Sequence, residues 1–119
     1  MKDELVYVEH VLACIGRIET YTGGNKSVFF GSTLVQDAVV RNLEVMAEST
    51  QRLSDDIKNK HPDVDWRGLA GFRNVLAHGY LGLDTQRIWE LIETRLTALK
   101  SSMERIRAEL IAERPPASQ

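Results

Sequence analysis

The chain has 119 residues, enough for one domain with a buried core. Hydrophobic residues at 43% and charged residues at 27% place it with soluble globular proteins rather than disordered or fibrous ones. A formal charge of −2 excludes a nucleic-acid binder whose whole surface is basic, and leaves room for a local cationic pocket. No apolar run approaches the ~20 residues that cross a bilayer, so no membrane association is expected. Met1-Lys2-Asp3-Glu4 opens an amphipathic pattern rather than a signal peptide. The lone Cys14, set among Leu12, Ala13 and Ile15, reads as a small core residue of a protein in a reducing cytoplasm.

In chain order, a first helix is predicted from about Asp3 to Tyr21. Leu5, Val8, Leu12 and Ile15 recur three and four apart, and Val11 and Ile18 widen the stripe. Thr22-Gly23-Gly24-Asn25 breaks it. Phe29 and Phe30 follow and are expected to pack on the core or on a partner rather than to stack RNA bases. Thr33 with Gln36 resembles a capping box that opens a second helix reaching about Lys60 and bounded by Pro62. Val35, Val39, Met46, Leu53 and Ile57 mark its apolar side, and Asn42, inside that stripe, needs a hydrogen-bond partner. A third helix starts at Asp65 as N-cap, carries Trp66, Leu69, Phe72 and Leu76, and ends around Ala77 to Gly79. After a turn at Leu81-Gly82-Leu83, Asp84 or Thr85 caps a fourth helix striped by Ile88, Ile92, Leu96, Leu99, Met103, Ile106 and Leu110. The expectation is an all-α, four-to-five-helix up-and-down bundle, one domain over residues 1–112, with 113–119 as a flexible tail.

The chemistry concentrates in Arg73-Asn74-Val75-Leu76-Ala77-His78-Gly79-Tyr80. Arg73 is a permanent cation that forks two donors onto phosphate oxygens. His78 titrates near neutrality, around pH ~6.5 when unperturbed, and so can accept or give a proton. RNA carries its own nucleophile in the 2′-hydroxyl. Cleavage then needs a base, an acid and a cation for the phosphorane, and no metal. One imidazole must serve twice, or a two-fold dimer must bring a second. Spacing sharpens this point. Residues five apart on a regular helix stand about 140° apart around the axis, so Arg73 and His78 meet only if the helix unwinds before His78 or if they meet across a dimer. Asn74 and His78, four apart, share a face. The bland alternative for the whole run is a solvated cationic helix end.

The run carries the RX4HXY signature of HEPN-domain proteins of the HepT type. Its setting is similar to theirs in Asp37-Ala38-Val39-Val40-Arg41-Asn42-Leu43-Glu44, in Trp66-Arg67-Gly68-Leu69-Ala70-Gly71-Phe72, and in Ile88-Trp89. The resemblance implies a small helical ribonuclease toxin of a type VII toxin–antitoxin pair, with Arg73 and His78 as catalytic residues and Asn74 beside them. It implies further that an MntA-like nucleotidyltransferase antitoxin transfers AMP to Tyr80. An adenylylated Tyr80 would set a bulky anion beside Arg73 and His78 and repel RNA.

Arg41 and Glu48, seven apart on one face of the second helix, are supporting candidates that line a cleft against the third helix. A carboxylate there could orient His78. The bland reading is a surface ion pair of Arg41 with Glu44, three residues on. His10 and His61 read as surface residues. There is no HExxH, CxxC or phosphate-loop motif, so neither metal nor cofactor is inferred. The rival function is a non-catalytic nucleotide- or partner-binding subunit of a minimal nucleotidyltransferase.

Overall fold

The structure is a computed structural model. It describes residues 3–78 and 84–113, without the side chains of Val75, Ala77 and His78. The expected turn at 81–83, Gly79, Tyr80 and residues 114–119 of the expected tail lie outside the described residues.

Four long helices form, as expected, with two short ones between them: α1 Glu4–Thr22, α2 Lys26–Phe30, α3 Thr33–Gln51, α4 Asp55–Lys60, α5 Trp66–His78 and α6 Thr85–Glu113. Among the described residues there is no strand. Asp3 caps α1 by accepting from the Leu5 N–H. At the other end Gly23 closes the helix at φ 60°, a left-handed conformation that glycine adopts without the Cβ clash of other residues. The cap of α3 differs from the expected box. Ser32, not Thr33, accepts from Val35, and the Gln36 amide reaches back to the carbonyls of Phe29 and Phe30. Gln36 therefore ties the short α2 to α3 rather than closing a box.

The expected second helix does not run through to Lys60. It stops at Gln51, where Arg52 and Leu53 turn back onto Ser49 and Thr50, and Ser54 then caps a separate α4 through the Ile57 N–H. The break is held from afar. The Glu4 carboxylate accepts from the Ser54 N–H at 2.6 Å and from its hydroxyl at 3.0 Å. A hydroxyl engaged in capping and a backbone N–H taken by a distant acid both favour a helix start over a continued helix. The same contact puts the start of α1 beside the end of α3, so these two helices run antiparallel.

The core lies where α1, α3 and α6 meet. Val8, Val11, Ile15 and Ile18 of α1, Val39, Leu43 and Met46 of α3, and Met103 and Ile106 of α6 are almost wholly buried. Leu12 is only half-buried, so the inward face of α1 centres on Val8, Val11, Ile15 and Ile18. Phe29 is fully buried, meets Phe30 edge-on and stacks on Trp89 with ring centroids 5.4 Å apart. The phenylalanines thus belong to the core. Cys14 is also in the core, and burial pushes its thiol pKa up. Asn42 satisfies itself by donating to the Ala38 carbonyl one turn earlier. Asp65 caps α5 through Gly68, and Asp84 caps α6 through Gln86.

His61 corrects the sequence reading: it is buried, not on the surface. Its Nε2 lies 3.2 Å from Glu109 of α6 and its carbonyl accepts from the Trp66 indole. His10 is exposed, as expected.

Replacing Ser54 by Ala should destabilise the protein by about 1–2 kcal/mol, the usual cost of a lost N-cap with a charge-assisted bond. Urea denaturation measures this, and a change near zero would show that Glu4 and Ser54 do not hold the break.

Candidate functional site

α5 packs on α3, and this contact brings Arg73 to Glu48. The Arg73 Nε donates to Glu48 Oε2 at 2.5 Å, while Arg52, one turn further along α3, sets Nη2 3.3 Å from Glu48 Oε1. One carboxylate is therefore shared by two guanidinium groups. Elsewhere among the described residues each ion pair joins one cation to one acid: Arg95 to Asp65, Arg105 to Asp63, Arg107 to Glu9, Lys100 to Glu19, Lys60 to Asp56 and His61 to Glu109.

The mode of contact matters. Glu48 takes Arg73 through Nε, which leaves both Nη nitrogens without a hydrogen-bond partner among the described residues. These donors are the outer prongs of the fork and the ones suited to a phosphate. The Arg73 side chain is 46% exposed and that of Glu48 is 41% exposed, so the pair is open to solvent and to a ligand. The hydrogen bond from Arg73 holds the Glu48 carboxyl below the usual carboxylate range, with the charges of Arg73 and Arg52 adding to it.

Arg41 makes no ion pair with Glu44 or Glu48, so the expected surface pair does not form. It is exposed, two turns before Glu48 on the same face of α3. Asn74 is exposed on α5. The helix continues through His78 without unwinding, so positions 73 and 78 stay about 140° apart around its axis. Of the two routes by which Arg73 and His78 could converge, the local break before His78 does not occur. The expectation that a helix-two carboxylate orients His78 meets a competing fact, since both oxygens of Glu48 are already engaged by arginines. Arg52 was missed in the sequence. The available signal was spacing: it lies four residues after Glu48 and eleven after Arg41, which returns to the same helix face.

A second feature is a groove of about 280 Å³ between α3, α5 and α6, with Leu43, Met46, Leu69, Phe72, Ile92 and Leu96 among its lining. Its walls are apolar except for Asp63, Asp65, Ser102, Thr94 and Arg95, and none of Arg41, Glu48, Arg73 and Asn74 lines it. Such walls do not suit a phosphodiester. Among the described residues no group of three or more His, Cys, Asp or Glu converges as a metal site would require, and no helix is long and apolar enough to cross a membrane.

The fold is a small all-α bundle with an exposed arginine pair around Glu48 where α3 and α5 pack, and with His78 further along α5. The comparisons give the family. A model described as "Ribonuclease HepT-like" matches residues 11–106. The chain is 31% identical over 105 residues to "Probable ribonuclease HepT" of Thermococcus cleftensis, covering 85% of this chain and 93% of that protein. It is 33% identical over 107 residues to a "Putative RNase" of Caldanaerobacter subterraneus subsp. tengcongensis, covering 89% and 96%. It is also 33% identical over 110 residues to "Gamma-glutamylcyclotransferase and putative RNase" of Methanocaldococcus jannaschii, where it spans 92% of its own length but only 50% of the relative's. No solved structure gives a significant match. The chain belongs to the HepT-like ribonuclease family.

The Glu48 ion pairs have a defined pH dependence. Its folded-state pKa is depressed, so the stabilisation they bring is complete above the unfolded-state value and fades as pH falls through the folded one. Urea midpoints of the wild type and Glu48→Gln should differ at neutral pH, begin to approach each other as pH falls below the ordinary glutamate value of about 4.3, and meet only below the depressed folded-state value. A difference that does not change with pH would show that the carboxylate charge is not what binds the two arginines.

Proposed function

We propose that this protein is a metal-independent endoribonuclease, the toxin of a toxin–antitoxin pair. One observation carries the reading: Arg73 is fixed through Nε while its outer donors stay open, in a chain of the HepT-like ribonuclease family. Arg73 holds the scissile phosphate and stabilises the charge of the phosphorane, the role of a preorganised cation. His78 moves the proton, as base towards the 2′-hydroxyl or as acid towards the departing 5′ oxygen. Asn74 orients the imidazole or a phosphate oxygen. Glu48 positions Arg73, and Arg41 adds positive charge along the same face of α3.

Because α5 stays helical through His78, the convergence of a guanidinium and an imidazole is best met by a two-fold homodimer, with RNA in the groove between subunits. Residues 1–112 form the working domain. The protein acts in the cytoplasm. An MntA-like nucleotidyltransferase antitoxin silences it by adding AMP to Tyr80, which sets an anion where RNA phosphate must bind.

The products should be a 2′,3′-cyclic phosphate and a 5′-hydroxyl. Incubated with RNA in EDTA, the wild type should cut and form these ends. Arg73→Ala and His78→Ala should each lose at least about a hundredfold in rate, as expected for loss of charge stabilisation or of acid–base catalysis. Equal cutting by all three would refute the assigned roles, and cutting that disappears with chelator would refute metal independence. In cells that co-express the antitoxin, Tyr80→Phe should remain toxic where the wild type is neutralised. Equal neutralisation would remove Tyr80 from the regulatory role.

A further inference from the structure

We propose that Arg52 is a second phosphate-binding residue of this site and contacts the RNA backbone one nucleotide step from the phosphate held by Arg73; the proposal rests on the ribonuclease reading above. The triad Arg73–Glu48–Arg52 carries two permanent positive charges against one negative charge, so it keeps a net positive charge at neutral pH. The remaining ion pairs among the described residues match one cation to one acid and leave no such surplus.

The geometry of Arg52 parallels that of Arg73. Its side chain is 51% exposed, and it gives only Nη2 to Glu48, which leaves Nε and Nη1 without partners among the described residues. Glu48 therefore holds Arg73 by a hydrogen bond and Arg52 by an ion pair, and the other donors of both have no partner among the described residues. A guanidinium pinned in this way has already lost much of its rotamer freedom, so less is lost when it binds phosphate.

Arg52 also falls in line with other cations. Positions 41, 48 and 52 return to one face of α3, and residues 41 and 52 are about 16 Å apart along its axis. Arg73 reaches over from α5 between them, at Glu48. Arg41, Arg73 and Arg52 line up along this face, interspersed with the acids Asp37, Glu44 and Glu48, and the local surplus of positive charge sits at the Arg73–Glu48–Arg52 cluster. A single strand of RNA, with one negative charge per nucleotide, is the ligand whose charge repeats along such a line.

The test is binding of a fluorescein-labelled single-stranded oligoribonucleotide to His78→Ala protein, with and without Arg52→Gln, across a salt series. Removing one phosphate contact should weaken affinity roughly tenfold and make the slope of log affinity against log salt shallower by about 0.7. In the active protein Arg52→Gln should raise KM rather than lower kcat. Unchanged affinity and slope in Arg52→Gln would overturn this inference and leave the ribonuclease reading standing. Absence of any salt-dependent RNA binding by the His78→Ala protein would overturn both. Because Arg52 also closes α3 by donating its N–H to Ser49 and Thr50, helicity is checked by circular dichroism and Arg52→Lys is run alongside. The lysine keeps the charge and should keep the slope. A slope as shallow as that of Arg52→Gln would place the effect in the helix end and overturn the assignment.

Discussion

The Glu48 carboxylate is the constraint on which the site depends. A long arginine side chain on an exposed helix face samples many rotamers and gains little from any one surface ion pair. Glu48 draws Arg73 and Arg52 together, with Arg73 hydrogen-bonded to Oε2 and Arg52 ion-paired with Oε1. It reaches Arg73 only because α5 packs on α3. The open cationic face is thus a product of helix packing, and neither helix has it alone.

That packing is held by the core rather than by charge. The exposed pairs that join α6 to α1, such as Arg107 with Glu9 and Lys100 with Glu19, are worth at most about 1 kcal/mol each. Burying a large aromatic or aliphatic side chain is worth about 1.5–3 kcal/mol, and Phe29, Ile15, Ile18, Met103 and Ile106 are all fully buried or nearly so. The pairs do fix direction, since Glu9 and Glu19 meet Arg107 and Lys100 in reverse order and α1 and α6 run antiparallel. The buried tie between His61 and Glu109 and the tie between Glu4 and Ser54 do the same for the α4 region. Polar contacts set the register of the bundle, and apolar burial supplies its stability.

A family of RNA-cutting proteins needs a cationic site that does not make the whole surface basic. In this chain two guanidinium groups share the single Glu48 carboxylate, so positive charge is in local excess there. A net charge of −2 over the whole chain leaves room for such a local surplus. The apolar groove between α3, α5 and α6 has none of this chemistry and stands apart from the arginines.

The sequence by itself located the four long helices, their apolar stripes, the family motif and the residues to watch, because periodicity and motif spacing are local properties of the chain. Val8, Ile15, Val39, Met46, Met103 and Ile106 were all legible as inward positions from their three-and-four spacing. Only the tertiary structure decided what depends on groups distant in the chain. Glu4 reaches across 50 residues to Ser54 and splits a helix that looked continuous. A histidine that looked exposed is buried and meets Glu109 of α6. Glu48 reaches Arg73, 25 residues away, and passes over Arg41 on its own helix. The choice of partner for a charged side chain depends on which helix packs beside it. No pattern within one helix encodes that, because two faces of equal polarity look alike until the core has chosen which of them meet.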